Sequence, residues 1–120
     1  MNEKTDKKTI GVVPEQAGTL QRLMEAGHFE QELDAAKFAM AHAIERGVGR
    51  GTSEGAGTKW HFGSFDSDGG LKAVIEALYP EETNPYRQIE YLINEGLRLF
   101  DKGNGQAPDV VGAILAAAKA

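Results

Sequence analysis

The chain has 120 residues, a hydrophobic content of 41%, no cysteine, and 13 Lys and Arg residues against 18 Asp and Glu residues. Without cysteine, disulfide scaffolds, Cys-ligated zinc sites and thiol catalysis are excluded. The length and composition predict a globular protein that buries a core of its own. No apolar run reaches the roughly 20 residues that span a bilayer, and the polar residues 1–8 do not resemble a signal peptide. We therefore expect a cytoplasmic protein with no membrane partner.

The chain begins with a predicted tail and strand. Residues 1–8 are polar and predict a mobile tail. Thr9–Val13 is rich in β-branched residues and is bounded by Pro14, which is typical of a short strand. A lone strand exposes an unpaired edge. We expect this edge to pair either with a second copy of the chain, which would make a homo-oligomer, or with the segment around Trp60–Phe62.

Two helices are predicted next, over about 15–26 and about 30–46. Gly27 is expected to end the first helix in the left-handed conformation, and Gly47 to end the second. The second helix carries apolar side chains at helical spacing on one face, namely Phe29, Leu33, Ala36, Met40 and Ile44. Further alanines, at positions 35, 39, 41 and 43, would let another helix approach closely.

Residues 47–58 contain five glycines and no hydrophobic period. A loop of this length is uncommon inside a compact domain, so we interpret it as the connection between a strand-helix-helix half, residues 1–46, and a helical half, residues 59–120, packed as one domain. The Gly-Val-Gly-Arg-Gly run is a weak match to phosphate-binding loops. Those loops follow a strand and open a helix, whereas here a helix precedes the loop and an extended segment follows.

The second half predicts an extended segment followed by helices. Lys59–Phe65 alternates in a way that suits a strand with one buried face. A helix over residues 71–79 follows, capped by Asp66 or Asp68, and a longer helix begins at Pro85 with Asn84 as its cap. Pro108 opens a short last helix. The inward-facing residues of the first of these helices are predicted to be Leu71, Val74, Ile75, Leu78 and Tyr79. Gly96, in the middle of the longer helix, predicts a close backbone contact.

No combination of side chains in the sequence predicts catalysis, a metal or a cofactor. Asp66-Ser-Asp68 resembles the start of a calcium loop, but the twelfth position is Ala77 instead of the bidentate Glu. His61 near Asp66 and Asp68 is the one acid–base pairing that the sequence offers, and it lacks a nucleophile. We expect a non-enzymatic protein without cofactor or metal.

Basic residues concentrate at two places in the sequence. Residues 1–50 carry 7 basic and 8 acidic side chains, a net charge of −1, and residues 51–120 carry 6 and 10, a net charge of −4. DNA-binding domains usually show a basic excess. The candidate nucleic-acid-binding residues are therefore the local concentrations, which are Lys4, Lys7, Lys8, Arg46, Arg50 and Lys59.

The order strand, helix, glycine turn, helix resembles a ribbon-helix-helix domain, with Thr9–Val13 as the strand and residues 27–32 as the turn. The resemblance implies two chains that pair their strands and place the ribbon in the major groove of DNA. Where that family anchors a phosphate, this chain carries Glu30, Glu32 and Asp34, whose carboxylates repel phosphate. The whole chain is similar to small helical accessory subunits of bacterial DNA-modification and phage-defence systems.

These observations predict a mainly α fold of about five helices with one or two short strands and a ribbon-helix-helix-like N-terminal half. We expect a small accessory or regulatory protein that acts as an oligomer in a DNA-associated assembly. The alternative is an adaptor subunit that binds a larger protein partner and makes no nucleic-acid contact.

Overall fold

The computed structural model describes residues 6–102, which form a mainly helical protein with a two-stranded sheet. This confirms the predicted fold class. The elements in order are β1 (Thr9–Val12), a short 3-10 helix (Pro14–Gln16), α1 (Ala17–Ala26), α2 (Glu32–Glu45), β2 (Gly57–His61), α3 (Phe62–Phe65), α4 (Gly70–Leu78) and α5 (Pro85–Lys102). The helix predicted after Pro108 lies outside the described residues.

The strand at the start of the chain pairs within its own chain. β1 and β2 are antiparallel, with Ile10 opposite Trp60 and Gly11 opposite Thr58. The register skips Lys59, so β2 carries a bulge at this residue. Of the two partners predicted for the strand, the segment around Trp60 is the one observed. A ribbon formed between two chains, as the ribbon-helix-helix resemblance implies, therefore has no support in this pairing.

The chain groups into two compact units, each made of two separate stretches of sequence. The first contains residues 6–14 and Gly49–Tyr91, and the second contains Glu15–Val48 and residues 92–102. The pairing of β1 with β2 puts the strand into the same unit as the residues that follow the glycine-rich loop. The sequence instead places the strand with α1 and α2, because its sequence neighbours are helical.

In the second unit the close approach predicted at Gly96 is confirmed. A Cβ atom added to Gly96 of α5 would collide with the carbonyl oxygen of Ala39 in α2. The residues of α2 that become buried are accordingly its small ones and Met40, namely Ala35, Ala36, Ala39, Met40 and Ala43. Phe29, Leu33 and Ile44 are only half-buried. The predicted face of α2 is thus rotated, since apposed helix backbones leave room for alanine and not for larger side chains.

The start of α5 shows that part of the predicted mobile tail is fixed. The carboxylate of Asp6 accepts hydrogen bonds from the backbone N–H groups of Tyr86 and Arg87, at 2.8 and 3.1 Å. These are unsatisfied donors of a first helical turn, where a negative charge is also favoured by the helix dipole. Asn84, the predicted cap, instead donates its side-chain N–H to Thr83 Oγ1. No pattern in the sequence near Pro85 predicts a cap from a residue about 80 positions away.

Two local predictions are corrected by backbone geometry. Gly27 follows α1 with a φ of −91°, and the left-handed residue is the next one, His28, with a φ of 59°. The extended segment predicted over Lys59–Phe65 ends at His61, because its imidazole Nδ1 accepts a hydrogen bond from Gly63 N–H at 3.1 Å and opens the single turn α3. Gly47, with a φ of 79°, ends α2 as predicted.

Candidate functional site

Lys7 is one of the predicted DNA-binding residues, and in the structure it forms an ion pair with a residue of its own chain. Its Nζ lies 3.0 Å from Oε2 of Glu90, a side chain that is 1% exposed. The same oxygen accepts a hydrogen bond from Gly11 N–H of β1 at 2.9 Å. A carboxylate buried to this degree requires a compensating cation. Lys7 therefore neutralises the fold's own charge and contributes little to binding an external phosphate.

Arg50 is neutralised in a similar way at the surface. Its Nε lies 3.1 Å from Oε1 of Glu82, and its guanidinium lies 3.7 Å from Glu81. Arg50 is half exposed, so this pair is screened by solvent and stabilises the fold only weakly. The two glutamates nevertheless give this part of the surface an acidic balance, which opposes a phosphate.

Lys8 and Lys59 are exposed next to the two-stranded ribbon. The carbonyl of Lys8 accepts a hydrogen bond from Phe62 N–H at 3.0 Å, which aligns the chain before β1 with the end of β2. Lys59 occupies the bulge of β2, with its Nζ 6.0 Å from the centre of the Trp60 ring. These two cations belong to the same unit and are both exposed.

Arg46 belongs to the other unit, where it follows the last residue of α2. The neighbouring His42 adds no positive charge, because burial and the charge of Arg46 lower the pKa of its imidazole, against the opposing effect of Glu45. Its ring lies parallel to that of Phe38 at a centroid distance of 6.3 Å. Lys4 lies outside the described residues. Of the five predicted residues that the structure describes, Lys7 and Arg50 are paired with glutamates, and the remaining three are divided between the two units.

The acid–base pairing drawn from the sequence serves helix capping. Both oxygens of the buried Asp66 carboxylate accept from the first turn of α4, from Leu71 N–H and Lys72 N–H at 2.9 Å each. Oδ2 also accepts from the Tyr86 hydroxyl at 3.0 Å. Burial, this hydrogen bond and nearby carboxylates raise the pKa of Tyr86 to about 12. Asp68 accepts from Gly70 N–H. The prediction that these aspartates cap α4 is confirmed.

The glycine-rich loop is fastened by one buried amide. The side chain of Gln88 donates to the carbonyl of Gly49 at 2.9 Å and accepts from Gly51 N–H at 3.1 Å. Gln88 is fully buried. A Cβ atom added to Gly51 would collide with the ring of Tyr91, whereas one added to Gly49 would meet nothing within 4 Å. This part of the loop is a fixed segment and not only a flexible connection.

The surface that the sequence did not predict lies on α4. Leu71 and Tyr79 are half-buried and Ile75 is fully buried, but Val74 is 43% exposed and Leu78 is 52% exposed. The small residues Ala73 and Ala77 are exposed as well. We refer to Ala73, Val74, Ala77 and Leu78 as the α4 face. Periodicity indicated one apolar stripe on this helix, and the structure covers only one edge of it.

Val74 and Leu78 are the two large hydrophobic side chains that the described residues leave exposed. They lie one helical turn apart and therefore adjoin on the surface. Single exposed apolar residues are ordinary, so the feature that distinguishes this surface is the adjacency of two on one side of α4. The sequence alone does not identify this surface, because α4 has apolar residues on more than one side and the sequence does not show which side is covered.

The described part of the chain contains neither a metal cluster nor a membrane-spanning helix. Within residues 6–102, no three His, Asp or Glu side chains come together in a way that could hold a metal ion. No helix in that range combines the length and the apolar character needed to cross a bilayer. Comparison with known proteins finds no matching family model, no similar curated protein and no similar solved structure. The ribbon-helix-helix resemblance and the likeness to defence-system subunits therefore stay predictions.

Proposed function

We propose that this chain is a small non-enzymatic adaptor that binds protein through the α4 face. The observation that carries the proposal is the exposure of Val74 and Leu78, at 43% and 52%, on a helix whose other large aliphatic residues are buried or half-buried. Burying these side chains against a partner releases the water that they order, at about 25 cal/mol per Å² of apolar area. Interfaces concentrate their binding energy on a few residues near their centre.

The fixed surroundings of α4 support this role. Asp66 caps the helix through two backbone N–H groups, and its own position is held by the Tyr86 hydroxyl of α5. A helix held at its start by a buried carboxylate loses little conformational entropy when a partner binds. The α4 face is thus presented by a rigid element, as is typical of preformed binding surfaces.

The experiment compares two variants that each add one carboxylate at an exposed helical position. Leu78→Glu lies in the α4 face, and Ala41→Glu lies on a different helix, α2. Tagged wild-type and variant proteins are purified from their native host, and bound proteins are quantified by mass spectrometry. We expect Leu78→Glu to lose a specific partner that wild type and Ala41→Glu retain. Equal recovery from all three proteins, with intact thermal unfolding, would contradict the proposal.

The DNA-associated regulator is a second proposal, and the exposure of Lys8 and Lys59 beside one ribbon is the observation that favours it. Its test is fluorescence anisotropy with duplex DNA at low and physiological salt. Affinity that depends on phosphate contacts falls as salt rises, because counterions are released on binding.

The matched DNA variant is the double charge reversal Lys8→Glu and Lys59→Glu. Lys7 is unsuitable, because a glutamate there would oppose the buried Glu90 and perturb the fold. If DNA is bound by the ribbon, the reversal abolishes binding while the unfolding transition is unchanged. Absence of binding by wild type at low salt would remove the regulator proposal and leave the adaptor.

A further inference from the structure

The arrangement of charges around the α4 face indicates what covers it. α4 buries Ile75, so the opposite side of the helix, formed by Ala73 and Ala77, points outward. With 3.6 residues per turn, positions 74 and 78 lie along one side of this alanine row, and positions 72 and 76 lie along the other. The outward surface of α4 therefore has three parallel rows: an apolar one, a small central one and a charged one.

The charged row consists of Lys72 and Glu76, which are both exposed. They have opposite signs and lie one helical turn apart. The apolar row consists of Val74 and Leu78. When the helix is reversed end to end, the charged row maps onto itself about residue 74 with the two charges exchanged. The apolar row maps onto itself about residue 76.

We infer that the α4 face binds the same face of a second copy of this chain, with the two α4 helices antiparallel about a two-fold axis. This inference rests on the proposed function, because it uses the same surface. A two-fold axis in the interface, perpendicular to the helices, keeps each flank on its own side and reverses direction along the helix. With the axis level with residue 75, Val74 of each copy lies within about 3 Å of the level of Leu78 of the other. Lys72 of each copy then lies within about 3 Å of the level of Glu76 of the other.

Small central residues suit this pairing, because Ala73 and Ala77 let the two helix backbones approach closely. A parallel two-fold arrangement would place the charged row of each copy against the apolar row of the other and leave the charges without partners, which is unfavourable. An unrelated partner would need to carry a complementary charge pair by coincidence, whereas the two-fold arrangement supplies it without further assumption. The charge complementarity thus selects a second copy as the occupant.

The expected dimer is weak. α4 has nine residues, so the contact is about 14 Å long, and the pair of helices buries less than the roughly 1,200 Å² at which stable specific interfaces begin. We expect an equilibrium between monomer and dimer that is displaced toward the dimer at high micromolar protein, with no dimer in dilute solution.

The test is sedimentation equilibrium of the full chain at concentrations up to about 1 mM, a range that resolves interfaces of this size. Four proteins are compared with wild type: Lys72→Glu, Glu76→Lys, the double variant with both changes, and Glu54→Lys. Glu54 lies in the exposed glycine-rich loop, so its reversal repeats the charge change outside the contact. Thermal unfolding of each variant shows that the fold is retained.

Each single reversal replaces two attractive pairs by two repulsive ones in the dimer, so we expect the dimerisation constant to fall about tenfold. The double variant restores the pairs and should return to within about twofold of wild type. Glu54→Lys should behave as wild type. Loss of dimer in both single variants is the result that a general charge effect does not give, since Lys72→Glu makes the net charge more negative and Glu76→Lys makes it less negative.

Two results would overturn the inference. In the first, wild type is a monomer at every concentration; if Leu78→Glu still loses a protein partner, the adaptor proposal survives and the self-pairing fails. In the second, wild type dimerises and neither the reversals nor Leu78→Glu alter the dimerisation constant, which places the dimer contact elsewhere. Loss of dimer in both single variants with recovery in the double variant supports the two-fold pairing of α4.

Discussion

α4 and α5 carry the same kind of sequence pattern and have opposite environments. Both show apolar residues at helical spacing, and for both the sequence predicts a buried stripe. In α5 that stripe is covered, since Ile89, Ile93 and Leu97 have no exposed surface. In α4 only Ile75 is fully buried, while Leu78 is half exposed. Periodicity thus identifies an apolar face, but whether the molecule itself covers that face depends on partners distant in sequence.

The comparison is tested most strongly by making one substitution in each helix. Leu97→Ala leaves a cavity in α5, and we expect it to lower the free energy of unfolding by about 2–5 kcal/mol. Leu78→Ala removes the same atoms from a half-exposed position, and we expect a change of no more than about 1 kcal/mol. Urea unfolding followed by circular dichroism measures both. Similar losses in the two variants would show that Leu78 is buried in solution.

The second effect concerns the close approach of α5 to α2. Gly96→Ala would drive a methyl group into the carbonyl of Ala39, so we expect a loss of about 1–3 kcal/mol in unfolding free energy. Gly18→Ala is the control, because its Cβ would meet only the end of Arg22 at 3.6 Å in the exposed part of α1. That variant should be more stable by about 0.5–1 kcal/mol. A neutral Gly96→Ala would mean that the two helices are farther apart.

A smaller effect is expected where the first turns of α5 meet the glycine-rich loop. Gly51→Ala must displace the ring of Tyr91, which has room to move because it is half-exposed, so we expect a loss of about 1 kcal/mol. Gly49→Ala has open space around its Cβ and should be neutral. Equal melting temperatures for the two variants would support the interpretation of the loop as a flexible connection only.

The last effect is a pH dependence that links α5 to the cap of α4. The pKa of Tyr86 is raised from 10.0 to about 12 in the folded protein. Its contribution to stability is complete below pH 10 and is lost as pH rises from 10 toward 12, because the unfolded chain ionises first. We expect the unfolding free energy of wild type to decline over this interval and that of Tyr86→Phe to decline less. Parallel curves for the two proteins would contradict the assignment.

The parts of the fold that were predictable are those that depend on neighbouring residues. The stripe of α5, the approach at Gly96 and the capping of α4 by Asp66 follow from spacing within one helix or one turn. The contacts between distant segments were not predictable in the same way. Nothing near Asp6 indicates that its carboxylate caps α5, and nothing near Lys7 indicates a buried glutamate in that helix.

The candidate site follows the same division. The positions of the basic residues are read directly from the sequence. Whether each one can bind a phosphate depends on whether a carboxylate lies beside it. Lys7 and Arg50 are paired with Glu90 and Glu82, and neither pairing has a local pattern. For α4 the sequence identified the apolar residues and assigned them to the core, because a periodicity does not distinguish a surface covered by the same chain from one covered by another.

The pairing of β1 with β2 also has a consequence for synthesis. β1 leaves the ribosome first, and its partner strand begins at Gly57, with the glycine-rich loop and two helices made in between. At about 5–20 residues per second, the strand waits for roughly several seconds before its partner exists. Glu90, which accepts the Gly11 N–H, is made later still. During translation α1 and α2 can form early from local contacts, whereas the sheet can pair only after His61 is made and gains its hydrogen bond to Glu90 later still.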